Sequence, residues 1–150
     1  MIEIEADQEF ETLIEVHNLE IAAAKVLALT ETNPESEIGL QIIDDATMQE
    51  LNLQYMDIDA PTDVLSFPVP FENPGTGNPY LGDILISYPT AVRQAEAAGH
   101  SPTEEITLLL VHGLLHLLGY DHTNPQEKEA MWLHQDTILA TLGIKARPTE

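Results

Sequence analysis

Apolar and acidic residues alternate along the first seven positions, MIEIEAD, which is the two-residue period of a strand with one buried face. The period lengthens to that of a helix over 16–30, VHNLEIAAAKVLALT, and Asn33-Pro34 closes the segment. Alternation returns at 37–44, EIGLQIID, which reads as a second strand. Asp44 or Asp45 can then cap a short helix that carries Met48, Leu51 and Leu53. A third strand is expected at 62–68, TDVLSFP, with Pro68 and Pro70 as its stop. Pro70, Pro74, Gly75, Gly77 and Pro79 make 69–80 a mobile loop, ahead of a fourth strand at 81–87, LGDILIS. Helices follow. Pro89 suits the first turn of one that stops at Gly99. Ser101-Pro102-Thr103-Glu104 is a capping box that opens a strongly apolar helix through Leu118. Asn124-Pro125-Gln126-Glu127 repeats the start signal for a last helix, closed by Gly143. The order βαβαββααα describes an α+β domain with one four-stranded sheet, and no repeat, low-complexity tract or linker divides residues 1–150.

A chain of 150 residues with 43% hydrophobic content can bury one ordinary core. No stretch approaches the roughly 20 apolar residues that span a bilayer, and the acidic N-terminus lacks the parts of a secretory signal. A cytoplasmic protein with no membrane partner is expected. With no cysteine, any metal must rest on His, carboxylate or water. Five Lys and Arg stand against 26 Asp and Glu, a formal net charge of −21. Such a surface repels polyanions at long range and counts against generic nucleic-acid binding. A cleft with a metal and a few positive groups can still reverse the potential locally.

Histidines interrupt the leucines of the apolar helix in VHGLLHLLGYDH, residues 111–122. His112 and His116 are four apart and share one helix face, the spacing of two ligands on one metal. Gly119 can take a left-handed conformation that turns the chain, so that His122 reaches the same point from a third direction. Three neutral imidazoles leave a tetrahedral ion one open position, as in catalytic rather than structural sites. Zn²⁺ suits such ligands first, and other divalent transition metals can replace it. One histidine on an apolar helix is an ordinary core residue; three placed around a glycine turn are not explained by packing, which the neighbouring leucines already supply. The spacing H-x-x-x-H-x-x-G-x-x-H is that of the long zinc-protease signature, but Gly113 stands where that signature has its general base, Glu. Peptide hydrolysis is therefore disfavoured. Asp121, beside the third histidine, can orient a ligand imidazole or simply form part of the turn.

PTDVLSFP (61–68), LGDILIS (81–87) and HGLLHLLGYDH (112–122) together resemble the YbeY family of bacterial endoribonucleases. The likeness runs from about residue 45 to the C-terminus and includes Met131. The resemblance implies one mixed sheet with a zincin-like histidine helix against it. It also implies a zinc-dependent, single-strand-specific endoribonuclease, with zinc on His112, His116 and His122. Its work would be ribosomal RNA processing, especially at the 3′ end of the small-subunit RNA, and ribosome quality control. The ribosomal small subunit and the GTPase Era are the partners it suggests. After Leu-Asn and an aromatic the family carries Arg; here the segment ends Gln54-Tyr55-Met56. An Arg there would hold phosphate as a guanidinium fork, which methionine cannot do. Arg93 in the following helix is the residue that would have to compensate, although an ordinary surface charge is its simpler reading.

Asp63 and Ser66 are three apart in a strand, so only one of them can face a cleft. Asp83, alone among apolar neighbours, is a candidate either to support the metal site or to pin its strand by a hydrogen bond. His17, His100 and His134 lack partners at ligand spacing and read as surface or helix-end residues; Met131 and Trp132 read as core. The sequence identifies no catalytic acid or base. Two other functions compete with the nuclease: a metallohydrolase of peptides or amides, and a non-catalytic ribosome-associated factor that keeps its metal for stability.

Overall fold

Strand β1 (Ile2–Ala6) follows its two-residue period, with Ile2 buried and Glu3 and Glu5 exposed. The protein is described by a computed structural model over residues 2–121 and 123–144. Helix α1 (Val16–Leu29) returns the chain to β2 (Glu37–Ile43), which lies parallel to β1 with Ile38 beside Ile2. Asp44 caps α2 (Asp45–Met56) by accepting the Thr47 amide at 2.8 Å. β3 (Val64–Glu72) and β4 (Pro79–Ser87) form an antiparallel pair, and β4 also lies parallel to β2, giving the sheet order β1-β2-β4-β3. Helices α3 (Tyr88–Ala98), α4 (Pro102–Leu117) and α5 (Pro125–Thr141) follow. The mixed four-stranded sheet and the βαβαββααα order agree with the sequence; a 3₁₀ turn at Glu11–Leu13 is an addition.

The hairpin corrects one expectation. Residues 69–80 are not a mobile loop: β3 continues to Glu72, β4 begins at Pro79, and only 73–78 turn between them. Pro68 is tolerated because β3 is an edge strand. The Asp63 carbonyl accepts the Ser87 amide at 3.0 Å, so alternation aims the backbone at 64, 66 and 68 away from β4. A missing N–H at Pro68 then costs no ladder bond. One carboxylate ties down the tip: Glu37 accepts from Asn73 Nδ2 and Thr76 Oγ1, each at 2.7 Å, and from Asn78 Nδ2 at 3.4 Å. Those bonds, Asn73 first and Thr76 next, hold the Glu37 carboxyl below its ordinary value.

The two faces of the sheet are covered differently. On one, α2 packs Met48 against Ile43, Leu65 and Leu85. On the other lies α4, buried on every side from Glu105 to Leu115, with α1, α3 and α5 packed around it. A helix apolar all round is an interior helix, and each buried leucine contributes about 1.5–3 kcal/mol relative to exposure. Ser101 and Glu104 form the expected capping box at its start. The next residue, Glu105, is 3% exposed and its Oε1 lies 2.5 Å from His100 Nε2. With its carboxamide turned so that the nitrogen faces the two acids, Gln94 donates to Glu105 Oε2 at 3.0 Å and to buried Asp63 Oδ2 at 3.3 Å, which links α3 and α4 to the residue just before β3. His100 thus stands at a helix end as expected, half-buried against Glu105.

Candidate metal centre

Helix α4 ends as Gly119 predicts. The glycine adopts φ 99°, its amide bonds the His116 carbonyl at 3.0 Å, and the Tyr120 amide reaches back to Leu115 at 3.0 Å. Within the last two turns of the helix, His112 is 1% exposed and His116 half-buried. Their Nε2 atoms lie 3.2 Å apart, with the rings edge to face at 81°. Two nitrogens each about 2.0–2.1 Å from a tetrahedral ion are separated by roughly 3.3–3.4 Å. The pair therefore fits one shared metal. His122, the third expected ligand, lies outside the described residues, so the pair is what the structure brings together.

Gly113 has a packing reason. A Cβ built there would lie 3.0 Å from Ile84 Cγ2, 3.0 Å from Ser66 Oγ and 3.3 Å from Val64 Cγ2. Position 113 thus faces the sheet, at the place where α4 comes closest to β3 and β4. Ser66 donates its hydroxyl to the Gly113 carbonyl at 3.0 Å and so is the residue of the Asp63/Ser66 pair that faces α4. Asp63 instead accepts the Val64 amide at 2.8 Å.

Asp83 is not beside the histidines. Val64, Ser66 and Ile84 face α4, so strand alternation puts Asp83 with Leu85 on the opposite side of the sheet. There it accepts the Tyr80 hydroxyl over Gly39, which has no side chain to fill the niche. Burial, and then the hydrogen bond to Asp83, push the Tyr80 phenol far above its ordinary value. The strand-pinning alternative is the one the geometry supports. Asp121 is half-buried in the turn after Gly119. Met56 is 54% exposed at the end of α2, the helix on the face opposite α4. Arg93 is held by Asp45 at 2.9 Å and also donates to Thr90 Oγ1 at 3.0 Å, as a surface ion pair does.

Besides His116, two residues of α5 lie against His112. Gln135, fully buried, places Oε1 2.9 Å from His112 Nδ1. Trp132 sets its ring 5.9 Å from the His112 ring, tilted by 34°. It also lines a groove of about 470 Å³ with Pro125, Lys128, Glu129, Leu133 and Asp136, so it is not simply a core residue. Met131 is buried as expected, and His134 packs edge-on against Tyr120 at 4.9 Å. Gln135 is not among the residues that the sequence singles out; its one local signal is an amide four residues after Met131 on the apolar face of the last helix. Among the described residues, three carboxylates also converge at exposed Asp7 and Glu9 and half-buried Asp44, remote in sequence from the histidines.

The fold and site define an α+β protein whose interior helix presents paired histidines at one end. The family model described as endoribonuclease YbeY matches residues 3–143. A relative named endoribonuclease YbeY from Moorella thermoacetica is 48% identical, covering 74% of this chain and 76% of its own. Another of that name, from Mycobacterium tuberculosis, is 41% identical and covers 86% and 78% respectively. A Thermotoga maritima protein solved in solution matches 100% of this chain and 99% of its own, with TM-score 0.61 at 21% identity, a likeness of fold. The chain belongs to the YbeY family of endoribonucleases.

Proposed function

We propose that residues 1–150 work as one metal-dependent endoribonuclease domain, cutting single-stranded RNA in ribosomal RNA processing and quality control. The 3′ end of the small-subunit RNA is its proposed substrate, with the small subunit and the GTPase Era as partners in the cytoplasm. Among the described residues, no helix is long and apolar enough to cross a membrane. The observation that carries the reading is the His112–His116 pair at 3.2 Å in a chain of this family.

His112, His116 and His122 would hold zinc or another divalent transition metal, which when bound supplies Lewis acidity toward a phosphodiester. The chain's own side chains do the positioning. Ser66 and Gly113 seat α4 against the sheet, so the two imidazoles project from a fixed helix end. Trp132 braces one of those rings and, in the groove, offers a face on which a base can stack. Lys128 lines the same groove and is one of only five basic side chains. Glu129 and Asp136 line it too, so an RNA strand there would rely on the bound metal as well as Lys128 for positive charge on a molecule of net charge −21.

Incubation of the protein with unstructured RNA, with and without chelator, tests the reading. Cleavage that chelator abolishes, zinc restores and His116→Ala removes is expected. If RNA stays intact under every metal condition, with small subunits present as well as absent, the nuclease proposal is wrong.

A further inference from the structure

Gln135 occupies a position that packing alone would give to an apolar side chain. With Met131, Ile138 and Leu139 it forms the buried face of α5 at helical spacing. Its Nε2 has no hydrogen-bond partner among the described residues, an uncommon state for a buried amide. A methionine of similar length would fill the space and leave no donor stranded. Among the described residues, the hydrogen bond that its side chain makes is to His112 Nδ1, at 2.9 Å.

That bond has a chemical consequence. With the carboxamide oxygen turned toward His112, the bond requires Nδ1 of His112 to carry the proton that joins them. In a neutral imidazole the other nitrogen is then unprotonated. That nitrogen is the Nε2 that faces His116 Nε2 at 3.2 Å. Across that gap His116 Nε2–H is then the donor, and the half-buried His116 can move that proton to Nδ1 when a cation enters. The opposite His112 tautomer would instead hold a proton on Nε2 of the buried ring, between the two nitrogens. Trp132, one turn before Gln135, lies against the face of the same ring and restricts its rotation. Helix α5 thus grips the His112 imidazole at its edge and at its face.

We infer that Gln135 is the positioning residue that fixes His112 in the Nδ1–H tautomer and so keeps its Nε2 available to a divalent cation. The inference rests on the metal reading proposed above and says how this chain prepares one ligand before any ion arrives. The amide acts through His112 and touches neither RNA nor metal. Side-chain length and chemistry both matter at this position. Glutamate would accept the same proton at the same reach, whereas methionine cannot accept it at all.

The test is a long-range ¹H–¹⁵N spectrum of the whole metal-free protein at mildly alkaline pH, with His112 assigned through His112→Gln. Zinc affinity is measured alongside by competition with a chromogenic chelator. Wild type should show His112 as Nδ1–H. Gln135→Met should shift it toward Nε2–H and weaken zinc binding by about 10–100-fold, the usual effect of removing a ligand's outer hydrogen-bond partner. Gln135→Glu should keep the Nδ1–H form and bind zinc at least as tightly as wild type. An Nε2–H ring in the wild-type spectrum overturns the inference without any variant being needed. So does Gln135→Met with unchanged tautomer and affinity. Wild-type protein that shows Nδ1–H yet takes up no zinc overturns the metal reading instead, so the two failures are told apart.

Discussion

A single methyl group at position 113 would be felt by three side chains of the sheet, because Ile84 and Ser66 are 3.0 Å from where it would sit. Alanine gains about 1 kcal/mol over glycine in a helix interior, but crowding a packed core costs about 1–3 kcal/mol. Gly113→Ala should therefore be destabilising by roughly 1 kcal/mol, lowering Tm by about 2–4 °C. A Tm at or above wild type would mean that α4 lifts off the sheet freely. Gly113→Glu, which completes the protease signature in writing, should give no peptidase, since the new carboxylate would be driven into the sheet. The residue that the sequence presented as a missing base is thus a contact point. Met56 is the other absence. Met56→Arg should raise cleavage of single-stranded RNA and steepen its salt dependence by about 0.7 log units per decade, the worth of one added phosphate contact. An unchanged salt slope would place position 56 outside the RNA path. The His112/His116 pairing was legible because it is local, four residues on one helix. Gln135 was not, because its meaning depends on how α5 docks 23 residues further along the chain.

At the level of elements, the prolines of β3 mislead for a definable reason. Proline ends a strand only where its N–H was needed in a ladder, and which amides are needed depends on whether the strand is at an edge, a property of topology. The helix starts carried their own information. Asp44, Ser101 and Asn124 each accept an amide three residues on, and all three caps were visible as local patterns. The turn at 73–78 depends instead on Glu37, a residue of another strand. Glu37→Ala should leave β3 intact through Phe67 while amide hydrogen exchange at Gly75, Thr76 and Gly77 accelerates by an order of magnitude or more. Exchange no faster than in wild type would show that the turn's own bonds, Gly77 N to Asn73 O at 2.6 Å among them, suffice.

Over the whole molecule, 26 acidic groups make pH the natural control of stability. Desolvation pushes the buried Glu105 carboxyl above its ordinary 4.5, against the opposing pull of His100. In the window between that raised value and 4.5 the folded state binds more protons than the unfolded chain, so stability rises as pH falls through it. Relief of charge repulsion acts in the same direction. Asp44 and Asp45 oppose it. Asp44 is held below its ordinary 3.8 by hydrogen bonds from Thr47. Burial alone would raise Asp45, but Ser87, Thr90 and Arg93 together outweigh it and leave it below 3.8. Their contribution is complete above about pH 4 and is lost as acid protonates them in the folded state. Tm measured against pH should rise from neutrality to about pH 5 and fall below about pH 4. Glu105→Gln should flatten the rising limb; a rise of undiminished size in that variant would assign the whole effect to surface charge.

The docking of α5 on His112 also sets an order in time. Synthesis completes α4, with both histidines, before Gln135 and Trp132 exist to hold the ring. A nascent or truncated chain ending before residue 132 carries the histidine pair without its lock. On the proposed metal reading, the newborn domain would compete for metal more weakly while it is still being made, and would reach full affinity when its final helix docks.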